Sequence, residues 1–263
     1  MNSINVLIRK VIDFLYFVCY NERTERKMNM NVTFKKNSKG IITSSEKKII
    51  DEMYKDAKVQ EFIDILKTFN LKYMAAIKET ETKLFILNED FKIRYNRTPI
   101  ESIESRLKTP ESLIKKMLRN NLRLSIDEVP EKIFDIAGVR VICSFISDID
   151  IIVNMIRDDP EIEIIKEKDY VNNPKTSGYR SYHMILKVPV YLTTGLEYVY
   201  TELQIRTMAM DFWASLEHKI KYKYDGEIPE DVASELIDCS NAMAEADEKM
   251  LKLSNRVHDF NNI

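Results

Sequence analysis

Tyr200-Thr-Glu-Leu-Gln-Ile-Arg-Thr-Met-Ala-Met-Asp-Phe-Trp-Ala-Ser-Leu-Glu-His218 changes its periodicity halfway along. Up to Arg206 the residues alternate. Thr201, Leu203 and Ile205 share one face, and Glu202, Gln204 and Arg206 share the other, the period of a β-strand. Thr207 is then placed to cap a helix, in which Ala209, Trp213, Leu216 and Ile220 form an apolar stripe. Asp211, Ser215 and His218 fall on a different helical face. Three hydrogen-bonding side chains on one strand face either meet water or build a site. Alone, this segment leaves both open.

Working outward, Tyr179 to Val190 reads as a long strand that Thr193-Thr194-Gly195 turns back into the Glu202 strand. Before it lies a loop, Asn172-Asn173-Pro174-Lys175-Thr176-Ser177-Gly178, and before that a short strand ending in Lys166-Glu167-Lys168-Asp169. Ile149 to Ile156 reads as a helix. Val139, Val141, Cys143 and Phe145 make one face of a further strand, with Arg140 on the other face and Asp135 and Gly138 just ahead. Ile100 to Lys108 also alternates, and puts Glu104, Arg106 and Lys108 on one face. Helices flank this core: a long helical region from Thr43 or Ser44 to about Ile93, and an amphipathic helix from Pro229 to about Val257 with Val232, Leu236, Met243, Met250 and Leu253 as its apolar positions. This order predicts an α+β fold, a mixed sheet of about five strands covered by helices.

Composition sets limits on function. The chain has 263 residues and a net charge of -2, which gives no reason to expect non-specific nucleic-acid binding by the whole chain. Between Arg106 and Arg140, eight basic side chains face five acidic ones, a modest positive island suited to the phosphates of a small ligand. Cys19, Cys143 and Cys239 are odd in number and lack metal-ligand spacing, so a reducing, cytoplasmic setting is expected. Ile4 to Tyr20 is apolar but broken by Arg9, Lys10 and Asp13, and is read as an amphipathic helix rather than a membrane span. Polar, basic Asn21 to Gly40 is read as a linker. The expected organisation is therefore 1–40 as helix and linker, 41–225 as the functional domain, and 226–263 as a helix for cover or self-association.

Two features carry chemistry. Thr109-Pro110-Glu111-Ser112 is a strong helix start, after which Leu113, Ile114, Met117 and Leu118 are expected to face the core. Ser112, Lys116 and Arg119 share another face. A helix N-terminus with a hydroxyl and a lysine behind two basic strand residues suits an oligophosphate; it is equally a solvated cap. Asp135 and Glu202 are the carboxylates beside core strands, and a magnesium ion takes one or two carboxylates plus phosphate oxygens. Tyr179, after the Lys175 loop, offers a flat face to a base.

Five segments in this order resemble the RelA/SpoT-type alarmone synthetase domain. They are Arg106-Leu-Lys-Thr-Pro-Glu-Ser112, Asp135-Ile-Ala-Gly-Val-Arg140, Lys175-Thr-Ser-Gly-Tyr-Arg-Ser-Tyr-His183, Glu202-Leu-Gln-Ile-Arg-Thr207 and Asp211-Phe-Trp-Ala-Ser-Leu-Glu-His218. The resemblance covers roughly Glu46 to Tyr224 and implies a nucleotidyltransferase-like synthetase fold, without the hydrolase domain of long members. It implies transfer of the β,γ-pyrophosphoryl group of ATP to the 3′-hydroxyl of GDP or GTP, with Mg2+ as cofactor. By that resemblance Arg106 and Arg140 sandwich adenine, and Lys108, Ser112 and Lys116 meet the ATP phosphates. Asp135 holds the metal, and Glu202 shares it or takes the hydroxyl proton. Tyr179 stacks on guanine, Lys175 and His183 meet the acceptor phosphates, and Gln204 orients the acceptor. Arg206 and Lys168 are further phosphate contacts, while Asp211 and His218 either shape the acceptor pocket or only polarise their helix. The resemblance also implies a homo-oligomer, commonly a tetramer.

Two other functions are compatible with such a sheet. A different nucleotide transferase would need Asp135 and Glu202, but not Tyr179 and its loop. A non-catalytic regulator binding guanine nucleotide or RNA would need neither carboxylate.

Overall fold

The computed structural model describes residues 57–122, 129–223 and 228–261. The expected N-terminal helix and linker, and Cys19, lie outside them. The chain divides into two compact units, one of Met1–Lys72 with Thr109–Leu124 and one of Tyr73–Lys108 with Ser125–Ile263.

In the first unit, α2 (Pro110–Arg119) starts as its sequence predicts: the Thr109 hydroxyl accepts from the Ser112 N–H at 3.2 Å, with proline in the first turn. Met117 is buried, but Leu118 is exposed, which corrects the expectation that both face the core. The long helix α1 (Ala57–Tyr95) begins in this unit and continues from Tyr73 into the second. It ends where Asn96 takes a left-handed φ of 52° and its N–H bonds the Lys92 carbonyl, a stop that asparagine tolerates.

The second unit holds a five-stranded mixed sheet. Its strands are β1 (Ile100–Leu107), β2 (Ala137–Cys143), β3 (Glu163–Asp169), β4 (Tyr182–Leu192) and β5 (Gly195–Thr207), in the order β1-β2-β5-β4-β3. Only β2 and β5 run parallel; the other pairs are antiparallel. Burial follows the period of two. Val139, Val141 and Cys143 on β2, Met184, Leu186 and Val188 on β4, and Leu203 and Ile205 on β5 are all buried. Helices α4 (Ile146–Arg157) and α5 (Met208–Lys223) pack on β2 and β5, and α6 (Glu230–Asn261) packs on α5 and α4. The short α3 (Val129–Lys132) leads into β2. The other sheet face, with Arg140, His183, Glu202 and Gln204 half-buried, is left to the site.

Three details differ from the sequence expectation. Strand β4 begins at Tyr182 rather than Tyr179, because the Gly178 N–H closes a turn onto the Lys175 carbonyl at 2.8 Å. On α5 the buried set is Met210, Trp213 and Ala214, while Leu216 and Ile220 are exposed. On α6 Met250 and Leu253 are exposed as well. No helix among the described residues is long and apolar enough to cross a membrane.

Helix α4 is pinned by a buried charge. Asp148, in its first turn, is 0 % exposed; it accepts from the Phe145 N–H at 3.1 Å and from Arg97 Nη1 at 2.6 Å. Burial pushes its carboxyl up, against the pull of Arg97 and the Phe145 N–H, and the balance leaves it raised. Arg97→Ala therefore strands a buried carboxylate, and about 3 kcal/mol of stability should be lost. The sign with pH follows from the raised value: a carboxyl harder to ionise in the fold costs stability as pH rises through its folded pKa. Thermal melts should show the Arg97→Ala deficit growing as pH rises above the ordinary aspartate range; a constant deficit would mean the pair contributes only packing.

Candidate active site

Register brings distant motifs into two rows across the open sheet face. One row runs Arg106, Gly138, Glu202, Ile185, Lys166, from β1 through β2, β5 and β4 to β3. The next runs Glu104, Arg140, Gln204, His183, Lys168. The parallel β2–β5 pairing makes these neighbours, placing Gly138 opposite Glu202 and Arg140 opposite Gln204. A cleft opens over the first three columns, lined among others by Glu104, Arg106, Gly138, Arg140, Glu202 and Gln204. Gly138 keeps its floor low. Arg106 lies along it, since a Cβ at Gly138 would sit 3.4 Å from Arg106 Cγ.

Glu202 stands at the centre. Its Oε2 accepts from Gln204 Nε2 at 2.9 Å, and His183 Nδ1 lies 3.4 Å from its Oε1. Burial raises its pKa, but the contacts with His183 and Gln204 outweigh burial, so the carboxyl is held below its ordinary value. The charge of Asp135 acts on it in the opposite sense. Asp135, just ahead of β2, accepts from Lys108 Nζ at 2.9 Å, and the Lys108 N–H anchors to the Ile136 carbonyl.

On the β4 side, the Tyr179 hydroxyl meets His183 Nε2 at 2.8 Å and accepts from Arg206 Nη2 at 2.6 Å. Arg206 is buried and also donates to Gln204 Oε1 at 3.0 Å and Asp211 Oδ1 at 3.1 Å. Asp211 in turn lies 3.3 Å from Arg140 Nη1, which is equally far from Glu104 Oε2. A continuous polar network thus joins Arg140 to Glu202 through Asp211, Arg206, Tyr179 and His183. Lys175 Nζ sits 4.5 Å from the Tyr179 ring centre and 4.7 Å from that of Tyr170.

Of the residues expected from sequence, the sheet and its adjoining turns gather Arg106, Lys108, Asp135, Arg140, Lys175, Tyr179, His183, Glu202 and Gln204. Ser112 and Lys116 are carried instead by α2, in the first unit, where the Ser112 hydroxyl accepts from Thr109 Oγ1 at 2.8 Å. Asp211, given two possible roles in the sequence, bridges two arginines. Tyr170 was missed. It packs edge-on against both Tyr179 and His183, with ring centres 6.2 and 5.4 Å away. Its only sequence signal is an aromatic directly after Lys168-Asp169. Asp169 positions it by accepting from the N–H groups of Val171 and Asn172.

The described residues contain no group of three or more His, Cys, Asp or Glu arranged for a metal. Two carboxylates beside a basic cleft do fit a hard divalent cation that completes its shell with phosphate oxygens.

Residues 105–227 match the family described as a region found in RelA/SpoT proteins. GTP pyrophosphokinase YwaC of Bacillus subtilis (strain 168) is 44% identical over 187 residues, 71% of this chain and 89% of that protein. The crystal structure of small alarmone synthetase 2 from Bacillus subtilis matches with a TM-score of 0.67 at 43% identity, covering 73% of this chain and 98% of the other. That of small alarmone synthetase 1 from the same organism, bound to its product pppGpp, matches with a TM-score of 0.67 at 35% identity, over 73% and 97%.

Proposed function

The chain belongs to the RelA/SpoT family, and from that premise we infer that it is a GTP pyrophosphokinase. It transfers the β,γ-pyrophosphoryl group of ATP to the 3′-hydroxyl of GDP or GTP, giving AMP and guanosine tetra- or pentaphosphate. The acceptor oxygen bonds to the β-phosphorus, the bond from that phosphorus to the α,β-bridging oxygen breaks, and AMP departs with those electrons. One observation carries the assignment of parts: Glu202 lies between the cleft of Arg106 and Arg140 and the cluster of Tyr179 and His183.

The cleft is the ATP side of this proposal. Arg106 and Arg140 hold adenine by guanidinium stacking, and Lys108 takes the phosphates. On the acceptor side, Tyr179 stacks on guanine with its ring fixed by the hydrogen bonds of its hydroxyl. Lys175 and His183 take the acceptor phosphates, and Gln204 orients the acceptor. Glu202, kept ionised, accepts the 3′-hydroxyl proton. Asp135 and Glu202 would hold Mg2+, which supplies neutralisation of the phosphate charge when bound. The synthetase domain is taken as 41–225. The exposed row Met250, Leu253 and Val257 on α6 supports self-association, as a tetramer by resemblance.

Product analysis tests the reaction. With ATP, GDP and Mg2+, anion exchange should resolve AMP and a more highly charged guanosine nucleotide in equal amounts. Release of pyrophosphate with an adenylated acceptor would point to a different transferase. A pH profile tests the setting of Glu202. In His183→Ala, burial loses its main opponent and the Glu202 carboxyl should rise. Protonation then begins at higher pH, so the acid limb of kcat at saturating acceptor should move upward. An unmoved limb would remove Glu202 as the group that titrates.

A further inference from the structure

The acceptor side of the site is built against α6. Ser240, buried on that helix, donates from Oγ to the Gly178 carbonyl at 2.5 Å. Gly178 has a φ of +86°, and a Cβ there would lie 2.9 Å from Ser240 Cβ and 3.4 Å from Ile237 Cα. The backbone immediately before Tyr179 therefore rests on the helix surface, in a conformation glycine adopts without strain. Two turns further along the same face, Asp247 Oδ2 accepts from Thr207 Oγ1 at 2.6 Å, with both residues buried. Thr207 directly follows Arg206. Since Tyr179 and Arg206 are themselves joined at 2.6 Å, α6 grips the chain neighbour of each member of that pair.

We propose that Ser240 and Asp247 are positioning residues for the acceptor nucleotide, holding Tyr179 and Arg206 in the arrangement that receives it. This rests on the assignment of Tyr179 to guanine. It concerns the acceptor rather than ATP, because the grips fall on the chain neighbours of Tyr179 and Arg206, while Arg106 and Lys108 belong to β1 and its end and Arg140, on β2, meets Arg206 at one remove through Asp211. Each grip is a buried hydrogen bond, so truncating one partner leaves the other unsatisfied. At Asp247, where burial pushes the carboxyl up against the Thr207 bond, an asparagine can accept the same bond without a charge to bury.

The test compares Ser240→Ala, Asp247→Ala and Asp247→Asn with the unaltered chain. GDP affinity is measured by calorimetry without ATP, and KM for GDP and for ATP by turnover. Ser240→Ala and Asp247→Ala should each weaken GDP binding about fivefold or more and raise the GDP KM in step, with the ATP KM unchanged. Asp247→Asn should bind GDP like the unaltered chain. Unchanged GDP affinity in Ser240→Ala, or equal losses for both substrates, would overturn the proposal. If the unaltered chain binds GDP but forms no alarmone, the assigned reaction fails, and the GDP affinities still decide whether α6 positions Tyr179. If it forms alarmone while the variants bind GDP normally, the positioning role alone fails.

Discussion

Glu202→Gln should reduce kcat by about a thousandfold or more while ATP binds within about threefold of the unaltered affinity. The substitution keeps the size of the side chain, and a glutamine oxygen still accepts from Gln204 Nε2, 2.9 Å away in the native arrangement. The backbone pairing that aligns Glu202 with Gly138 and Ile185 is also untouched. What disappears is the charge. An amide takes no proton from the 3′-hydroxyl and is only a weak, uncharged ligand for a hard cation, and both roles proposed for Glu202 draw on the anion. ATP binding should survive because the stacking and phosphate groups assigned to it, Arg106, Arg140 and Lys108, keep their positions. Single-turnover assays beside equilibrium ATP binding separate the two effects. If ATP binding collapses together with turnover, Glu202 acts in holding ATP, and the proton-accepting role assigned to it is wrong.

Much of this site is written in local sequence, because its strands alternate cleanly. The polar triad Glu202, Gln204, Arg206 against buried Thr201, Leu203, Ile205 follows from periodicity alone. So does the Thr109 cap, where a hydroxyl before proline has little alternative use. What local pattern does not encode is which strand lies beside which. The parallel pairing of β2 with β5 joins Gly138 to Glu202 across 64 residues, and nothing in either segment specifies the other. The same holds for Arg97 and Asp148, paired over 51 residues. Asp148 looks like an ordinary polar residue early in a helix until its partner is seen. Tyr170 was invisible for a related reason. A lone aromatic after a charged run carries no period, and its value comes from Tyr179, just ahead of β4, and His183, on β4, arriving from beyond the loop. Strand β4 starts later than expected because Gly178, at the end of the preceding loop, is committed to a turn and to α6, and a loop glycine does not announce its distant neighbour.

Tyr179→Ala should raise the acceptor KM by roughly ten- to a hundredfold, the range for losing one base–aromatic stack, and change the ATP KM by less than about twofold. The ring is the part expected to matter, and Tyr179→Phe isolates it. Phenylalanine keeps the stacking face but drops the hydroxyl that meets His183 at 2.8 Å and Arg206 at 2.6 Å. Arg206 would still hold Gln204 Oε1 and Asp211 Oδ1, so the loss should be near that of one hydrogen bond, about fivefold in acceptor KM. The order of the three chains then discriminates between two uses of Tyr179. If tyrosine serves chiefly as a strut between His183 and Arg206, phenylalanine should be nearly as damaging as alanine. If it serves as a platform for guanine, phenylalanine should lie close to the unaltered chain and alanine far from it. Equal changes in the ATP and acceptor KM for Tyr179→Ala would contradict stacking in either case. The damage would then have spread to the ATP side along the network, through Arg206 and Asp211 to Arg140 or through His183 to Glu202 in the cleft.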